Sequence, residues 1–128
     1  MKMTIKLSKN TFLSSLRELV PNFPINPDWV EPALGFPIIN DLARYICKHA
    51  KEENCVEVDK GIFFLEFCLK SGEQYLRDLV SECLESLLAC EKIADIRGRF
   101  PENILRVWNT NFQNIYERRR GAGLYPQR

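Results

Sequence analysis

Histidine is nearly missing from this chain: His49 is the only one among 128 residues. Any mechanism that relies on imidazole must use that single residue, which sits between Lys48 and Ala50 at the end of a helical pattern, where a surface position is expected. It cannot complete a familiar zinc set alone, and the five cysteines (Cys47, Cys55, Cys68, Cys83 and Cys90) form no C-x-x-C pair to help it. The nucleophile elbow G-x-S-x-G, the P-loop, the glycine-rich dinucleotide fingerprint and H-E-x-x-H do not occur. No apolar run is long enough to cross a bilayer. The stretch from Met1 to Lys9 leads into an amphipathic segment with Arg17 and Glu18, without an uninterrupted apolar region or a small-residue cleavage site, so we read no export signal. These absences predict a non-enzyme with no cofactor and no metal, not held in a membrane and cytoplasmic, whose cysteines are reduced and packed as small hydrophobes.

What the chain does contain is helical periodicity. Tyr75, Leu76, Leu79, Val80, Cys83, Leu84, Leu87 and Leu88 recur at three- and four-residue steps, which stacks them on one helix face, and Asp78, Glu82 and Glu85 follow along the other. A Ser71-Gly72 turn joins this helix to a preceding one, the two spanning residues 57–90, and the first is apolar almost all round from Ile62 to Leu69 and is expected at the buried centre. Its lone Glu66 is expected to reach the edge or to meet Arg44, Arg77 or Arg106, because an unpaired buried carboxylate is costly. Two further patterns precede this hairpin. Phe12 to Val20 reads as a helix capped by Ser8 or Asn10 and stopped by Pro21, and Ile38 to Lys51 reads as another. Between them the prolines at 21, 24, 27, 32 and 37 predict a loop with one short turn near Trp29 to Leu34, Trp29 and Phe36 pinning it to the core. Glu52 to Asp59 and Cys90 to Arg99 read as links. Phe100, Pro101 and Glu102 open a last helix that continues through Trp108, Phe112 and Tyr116, carries Arg118, Arg119 and Arg120 in its final turn and stops at Gly121. The expected fold is all-α: residues 1–128 as a single compact domain of five or six helices packed as antiparallel hairpins, a short α-solenoid-like array with loose ends at 1–9 and 121–128.

Net charge is only +1, yet it is segregated. Residues 1–51 hold seven Lys+Arg against four Asp+Glu, residues 52–91 three against ten, and residues 92–128 eight against three. Blocks of +3, −7 and +5 steer oppositely charged partners even when the total is near zero.

Two stretches resemble an uncharacterised bacterial family of small helical domains associated with immunity to secreted polymorphic or contact-dependent toxins. One is Gly35-Phe36-Pro37-Ile38-Ile39-Asn40-Asp41-Leu42-Ala43-Arg44-Tyr45-Ile46, a proline-led entry into a helix around an Asp-Leu pair. The other is Cys83-Leu84-Glu85-Ser86-Leu87, similar to that family's Phe-Leu-Glu-x-Leu element with Cys83 in place of Phe. The resemblance implies an immunity protein that occludes a cognate toxin, and the acidic block suits a basic target such as a nuclease. The expected partner-binding residues are Asp78, Glu82 and Glu85 on the helix with Glu52, Glu53, Glu57 and Asp59 from the nearby link, in a protein favoured to be a monomer. The competing readings are a nucleic-acid adaptor using Arg97, Arg99 and Arg118 to Arg120 with Tyr116 and Tyr125 for stacking, which the acidic middle disfavours, a carboxylate-metal enzyme on Glu82 and Glu85, which lacks the second E-x-x-H element, and a self-associating scaffold.

Overall fold

Proline and glycine set the segment boundaries, and apolar stripes decide how the segments pack. In a computed structural model, which describes residues 11–26, 28 and 35–125, seven helical segments follow one another: α1 (Phe12–Leu19), α2 (Gly35–Lys51), α3 (Cys55–Lys70), α4 (Gln74–Leu87), α5 (Ile93–Arg97), α6 (Glu102–Asn111) and α7 (Gln113–Gly121). No strand occurs among the described residues, and the chain is an all-α domain. The expected caps Ser8 and Asn10 and the turn at 29–34 with Trp29 lie outside the described residues.

α1 ends one residue before Val20, whose N–H still reaches Leu16 O at 2.9 Å, and Pro21 prevents continuation. α2 starts earlier than its apolar stripe suggests, because Pro37 falls in its first turn, where a missing N–H costs nothing. Its end closes with Asn54 N–H on His49 O at 2.8 Å, leaving Glu53 in the left-handed region at φ 58°. α3 therefore begins at Cys55, four residues before the expected link runs out at Asp59. The Ser71-Gly72 turn is as read: Ser71 Oγ donates to Cys68 O and accepts from Glu73 N–H, and Gly72 takes φ +82°.

The helical hairpins α2–α3 and α3–α4 are antiparallel, so α2 and α4 run parallel and share the largest interface of the fold. Phe36 meets Tyr75, Asn40 meets Ser86 and Cys47 meets Cys90, just past the end of α4, so the contacts follow the same order along both segments. α3 approaches α2 at Gly61, where a Cβ would fall 2.6 Å from Ile46 Cγ1; only glycine permits that spacing. α1 packs on α3 with Phe12 edge-on to Phe64 at 5.5 Å. Leu76, Leu79, Val80, Leu84 and Leu87 of α4 are all buried, each contributing about 1.5–3 kcal/mol by leaving water.

Two expectations are corrected here, and a third, for Glu66, is resolved between its two alternatives. α3 is not the wholly buried centre: Val56, Phe63 and Phe67 are exposed, because neighbours cover only part of a helix circumference and the sequence is apolar on the uncovered part too. Glu66 reaches the edge, the first of its two expected alternatives, and pairs there with Lys70 at 3.4 Å, one turn along its own helix. Cys47 and Cys90 are joined in a disulfide with Cα atoms 5.9 Å apart, so two of the five thiols are not reduced; Cys68 and Cys83 are buried and free as expected, and Cys55 is free but exposed.

The C-terminal part holds more segments than its continuous apolar pattern suggests. α5 occupies the expected link, and the last helix breaks at Phe112, which takes φ −128°, ψ −17° between α6 and α7. The break wraps Phe100, Phe112 and Tyr116 around Trp108 at 5.5–5.8 Å. Gln113 completes the arrangement, its Oε1 accepting from Trp108 Nε1 at 2.7 Å and Arg97 Nε at 3.0 Å, and its amide nitrogen donating to Glu117. Past Gly121, Gly123 adopts φ +72° while Leu124 N–H reaches Arg119 O, which closes the helix end.

Candidate functional site

The leucine stripe of α4 turns the opposite face outward, and three carboxylates occupy it. Asp78 and Glu85 are exposed directly opposite the buried residues, and Glu82 is rotated towards α2 and partly shielded. Asp78 Oδ1 accepts from Gln74 Nε2 at 2.8 Å. The carboxylates of Glu82 and Glu85 form no hydrogen bond or ion pair among the described residues.

Glu82 borders an open groove of about 480 Å³ between α2 and α4, whose walls include Asn40, Arg44, Cys47, Ser86 and Cys90. The Ser86 hydroxyl donates to Asn40 Oδ1 at 2.6 Å across the groove. Arg44 stands on its α2 rim, exposed and bound to Asp41 one turn back. The groove therefore carries one acid, Glu82, on its α4 side and one base, Arg44, on its α2 side.

The four acids expected from the α2–α3 link divide into two pairs. Glu52 and Glu53 are exposed, Glu52 lying 3.7 Å from His49 Nδ1. Glu57 is not on the surface: it is 6% exposed and accepts from the Tyr45 hydroxyl, Asn22 Nδ2 at 3.2 Å and Lys60 Nζ at 3.3 Å. The Tyr45 hydrogen bond, with Lys60 and Asn22 behind it, holds the Glu57 carboxyl below its ordinary range against the opposing effect of burial. Burial, aided by the hydrogen bond to Glu57 and its charge, pushes the Tyr45 hydroxyl up. Asp59 is exposed but already claimed, since Arg99 grips it with Nε at 2.6 Å and Nη2 at 2.9 Å and lowers its pKa by hydrogen bonding and charge. Of the seven acids singled out, Asp78, Glu82 and Glu85 come together, Glu52 and Glu53 stand apart at the end of α2, and Glu57 and Asp59 are satisfied by the chain itself.

His49 is less exposed than its helix-end position suggests, because its ring packs on Tyr45 at 4.3 Å between centroids. The aromatic residue expected to stack on bases is also taken: Tyr116 is 3% exposed, with Arg97 and Arg120 over its ring at 6.0 and 5.7 Å. Tyr125 donates to Leu88 O at 2.7 Å, and Arg97 and Arg99 are engaged with Gln113 and Asp59. Among the described residues no group of three or more His, Cys, Asp or Glu is placed to hold a metal ion, and no helix is long and apolar enough to cross a membrane.

A family model described as a domain of unknown function, DUF7674, matches residues 9–117. The chain belongs to this family. No curated protein and no solved structure matches it. The match runs from before α1 into α7, so the groove, the α4 carboxylates and the Trp108 cluster all lie inside the DUF7674 domain.

The residues that sequence reasoning missed are Tyr45, Asn22 and the Cys47–Cys90 pair. A tyrosine twelve positions before a glutamate gives no periodic signal, and two cysteines 43 positions apart give no spacing motif. The one available hint was their shared direction: Cys47 continues the inward stripe of α2, and Cys90 follows that of α4.

Proposed function

We propose that this DUF7674 domain is an immunity protein that binds and neutralises a cognate secreted toxin domain through the acidic face of α4. The observation that carries the reading is the set Asp78, Glu82 and Glu85: three carboxylates on a helix anchored by five buried aliphatic side chains, two of them without an internal partner among the described residues. A rigid helix presents such charges at little entropic cost on binding. The charges speed association with a basic target, while a few desolvated contacts around the groove provide most of the affinity. Glu52 and Glu53 extend the field from the end of α2. Glu57 and Asp59 act indirectly, by fixing α3 and its neighbours.

A basic toxin domain, such as a nuclease, fits this surface, and inhibition needs no catalysis by the immunity protein. The reading places the protein in the cytoplasm as a monomer, where it meets toxin that has entered or has just been made. The alternative, a nucleic-acid adaptor, loses its best stacking residue to the buried position of Tyr116. The test is protection. Cells expressing the toxic C-terminal domain of a large secreted protein encoded next to this gene survive when the wild-type chain is co-expressed, and survive less well when Asp78, Glu82 and Glu85 are all changed to Lys. Equal survival with the triple variant removes the site, and the absence of any such neighbouring gene or protection removes the function.

A further inference from the structure

The α2–α4 contact that shapes the groove is tied at two points. One is the Ser86–Asn40 hydrogen bond, and the other is the Cys47–Cys90 disulfide. Both sulfur-bearing residues line the same groove as Glu82, so the covalent bond is part of the wall beside that carboxylate. Cys90 is 5% exposed, whereas Cys47 is only partly buried, and a small thiol entering the groove meets Cys47 first.

Cys90 also controls how the chain leaves α4. Its N–H bonds Leu87 O at 2.9 Å, its carbonyl accepts from Ile93 N–H at 3.1 Å, and its sulfur accepts from Lys92 N–H at 3.4 Å. The bond to Cys47 therefore fixes the last turn of α4 and the entry to α5 against α2. The adjacent ion pair, Lys51 to Glu91 at 3.0 Å, is half exposed on both sides and is a weak substitute. Neither buried thiol competes for the pair: burial pushes Cys68 and Cys83 well up, so they stay protonated and do not attack disulfides.

We propose that the Cys47–Cys90 bond is a reversible thiol switch on the docking groove: closed, it holds α2 and α4 so that Glu82 and its neighbours receive a basic partner, and open, it lets the groove relax and weakens that binding. This rests on the docking role proposed above. In the opening step a thiolate of a small cellular thiol, of the glutathione class, attacks Cys47 Sγ. The protein S–S bond breaks, a mixed disulfide forms on Cys47, and Cys90 leaves as a thiolate that takes a proton from water. A second small thiol then attacks the mixed disulfide, releasing Cys47 as a thiol and a small-molecule disulfide. Two small thiols are oxidised and the protein bond is reduced by two electrons; the small-molecule disulfide drives the reverse. Disulfides in a reducing cytoplasm are mainly transient or redox-sensing, which matches this behaviour and the proposed compartment. Linkage adds a second consequence, because a partner that prefers the closed form protects the bond against reduction by the same factor.

The experiment uses the full chain and a fluorescent oligo-arginine peptide as the probe at low salt. Affinity is measured for the oxidised protein, for protein reduced with dithiothreitol, and after re-oxidation, while alkylation and mass spectrometry report the state of Cys47 and Cys90. The switch predicts binding about ten-fold weaker after reduction, restored on re-oxidation, together with slower reduction when the peptide is saturating. A Cys90→Ser variant treated with oxidised glutathione is expected to carry the adduct on Cys47. Equal affinity in both states, with both cysteines alkylated after reduction, overturns the switch and leaves the docking surface standing. No binding in either state overturns both. Loss of the helical circular dichroism signal on reduction overturns the switch as well, because the bond is then a staple of the fold, and an unmodified Cys47 in Cys90→Ser refutes the assigned route.

Discussion

Changing Tyr45 to Phe isolates one hydroxyl group. The ring remains to pack on Phe23 at 5.4 Å and on His49 at 4.3 Å, while the hydrogen bond to the buried Glu57 carboxylate is lost. A hydrogen bond to a charged group is worth about 1.5–3 kcal/mol, and the remaining Asn22 and Lys60 contacts do not replace the one removed. At roughly 4 °C per kcal/mol for a domain of this size, the melting temperature at pH 7 is expected to fall by about 6–12 °C. The sign with pH follows from linkage. The folded-state pKa of Glu57 lies below its ordinary value of 4.5, so its contribution is present above that value and disappears as pH falls through the folded pKa. The gap between wild type and Tyr45→Phe, measured by thermal or urea unfolding, should therefore narrow below pH 4.5. A gap that stays constant from pH 7 down through acid unfolding would refute the charge-based reasoning and reduce the hydroxyl to a packing contact.

Replacing Gln113 with Leu removes the acceptor for the buried Trp108 N–H and for Arg97, and urea unfolding is expected to show a loss of about 1–3 kcal/mol with altered tryptophan emission. Replacing Glu53 with Gly relieves a left-handed residue at the end of α2 and should stabilise the domain by about 0.5–1 kcal/mol; a lower urea midpoint would contradict that reading of its φ of 58°. Reducing the Cys47–Cys90 bond, which closes a loop across 43 positions, should lower stability by about 4 kcal/mol on the chain-entropy account, and an unchanged midpoint in dithiothreitol would argue against the bond.

The legibility of this fold followed the clarity of its patterns. α4 was readable in full, because one face is uninterruptedly apolar and the other acidic, and the Ser71-Gly72 turn supplied its start. α3 was readable as a helix but not in its orientation: apolar residues surround it, so nothing in the pattern distinguishes Phe64, which is buried, from Phe63, which is exposed. The break at Phe112 was hidden because the apolar spacing continues through it, while its cause is the tertiary demand of ringing Trp108 and giving its N–H an acceptor.

At the candidate site, the outward placement of the α4 acids was legible for the same reason as the helix. The link acids were not, since a negative charge in sequence does not say whether it faces water. Glu57 is drawn inside by Tyr45, Asn22 and Lys60, and Asp59 is held by an arginine forty positions away. The disulfide depends on the parallel alignment of α2 with α4, a three-dimensional relation that no local spacing encodes.

The most direct test of the central proposal is the association rate between this domain and the toxin domain proposed as its partner, measured for wild type and for the combined Asp78→Lys, Glu82→Lys and Glu85→Lys variant at low and high salt. The account predicts association slowed by about ten-fold or more at low salt, with the difference shrinking at high salt and the helical signal unchanged. Equal association rates at low salt for the two folded proteins would contradict it.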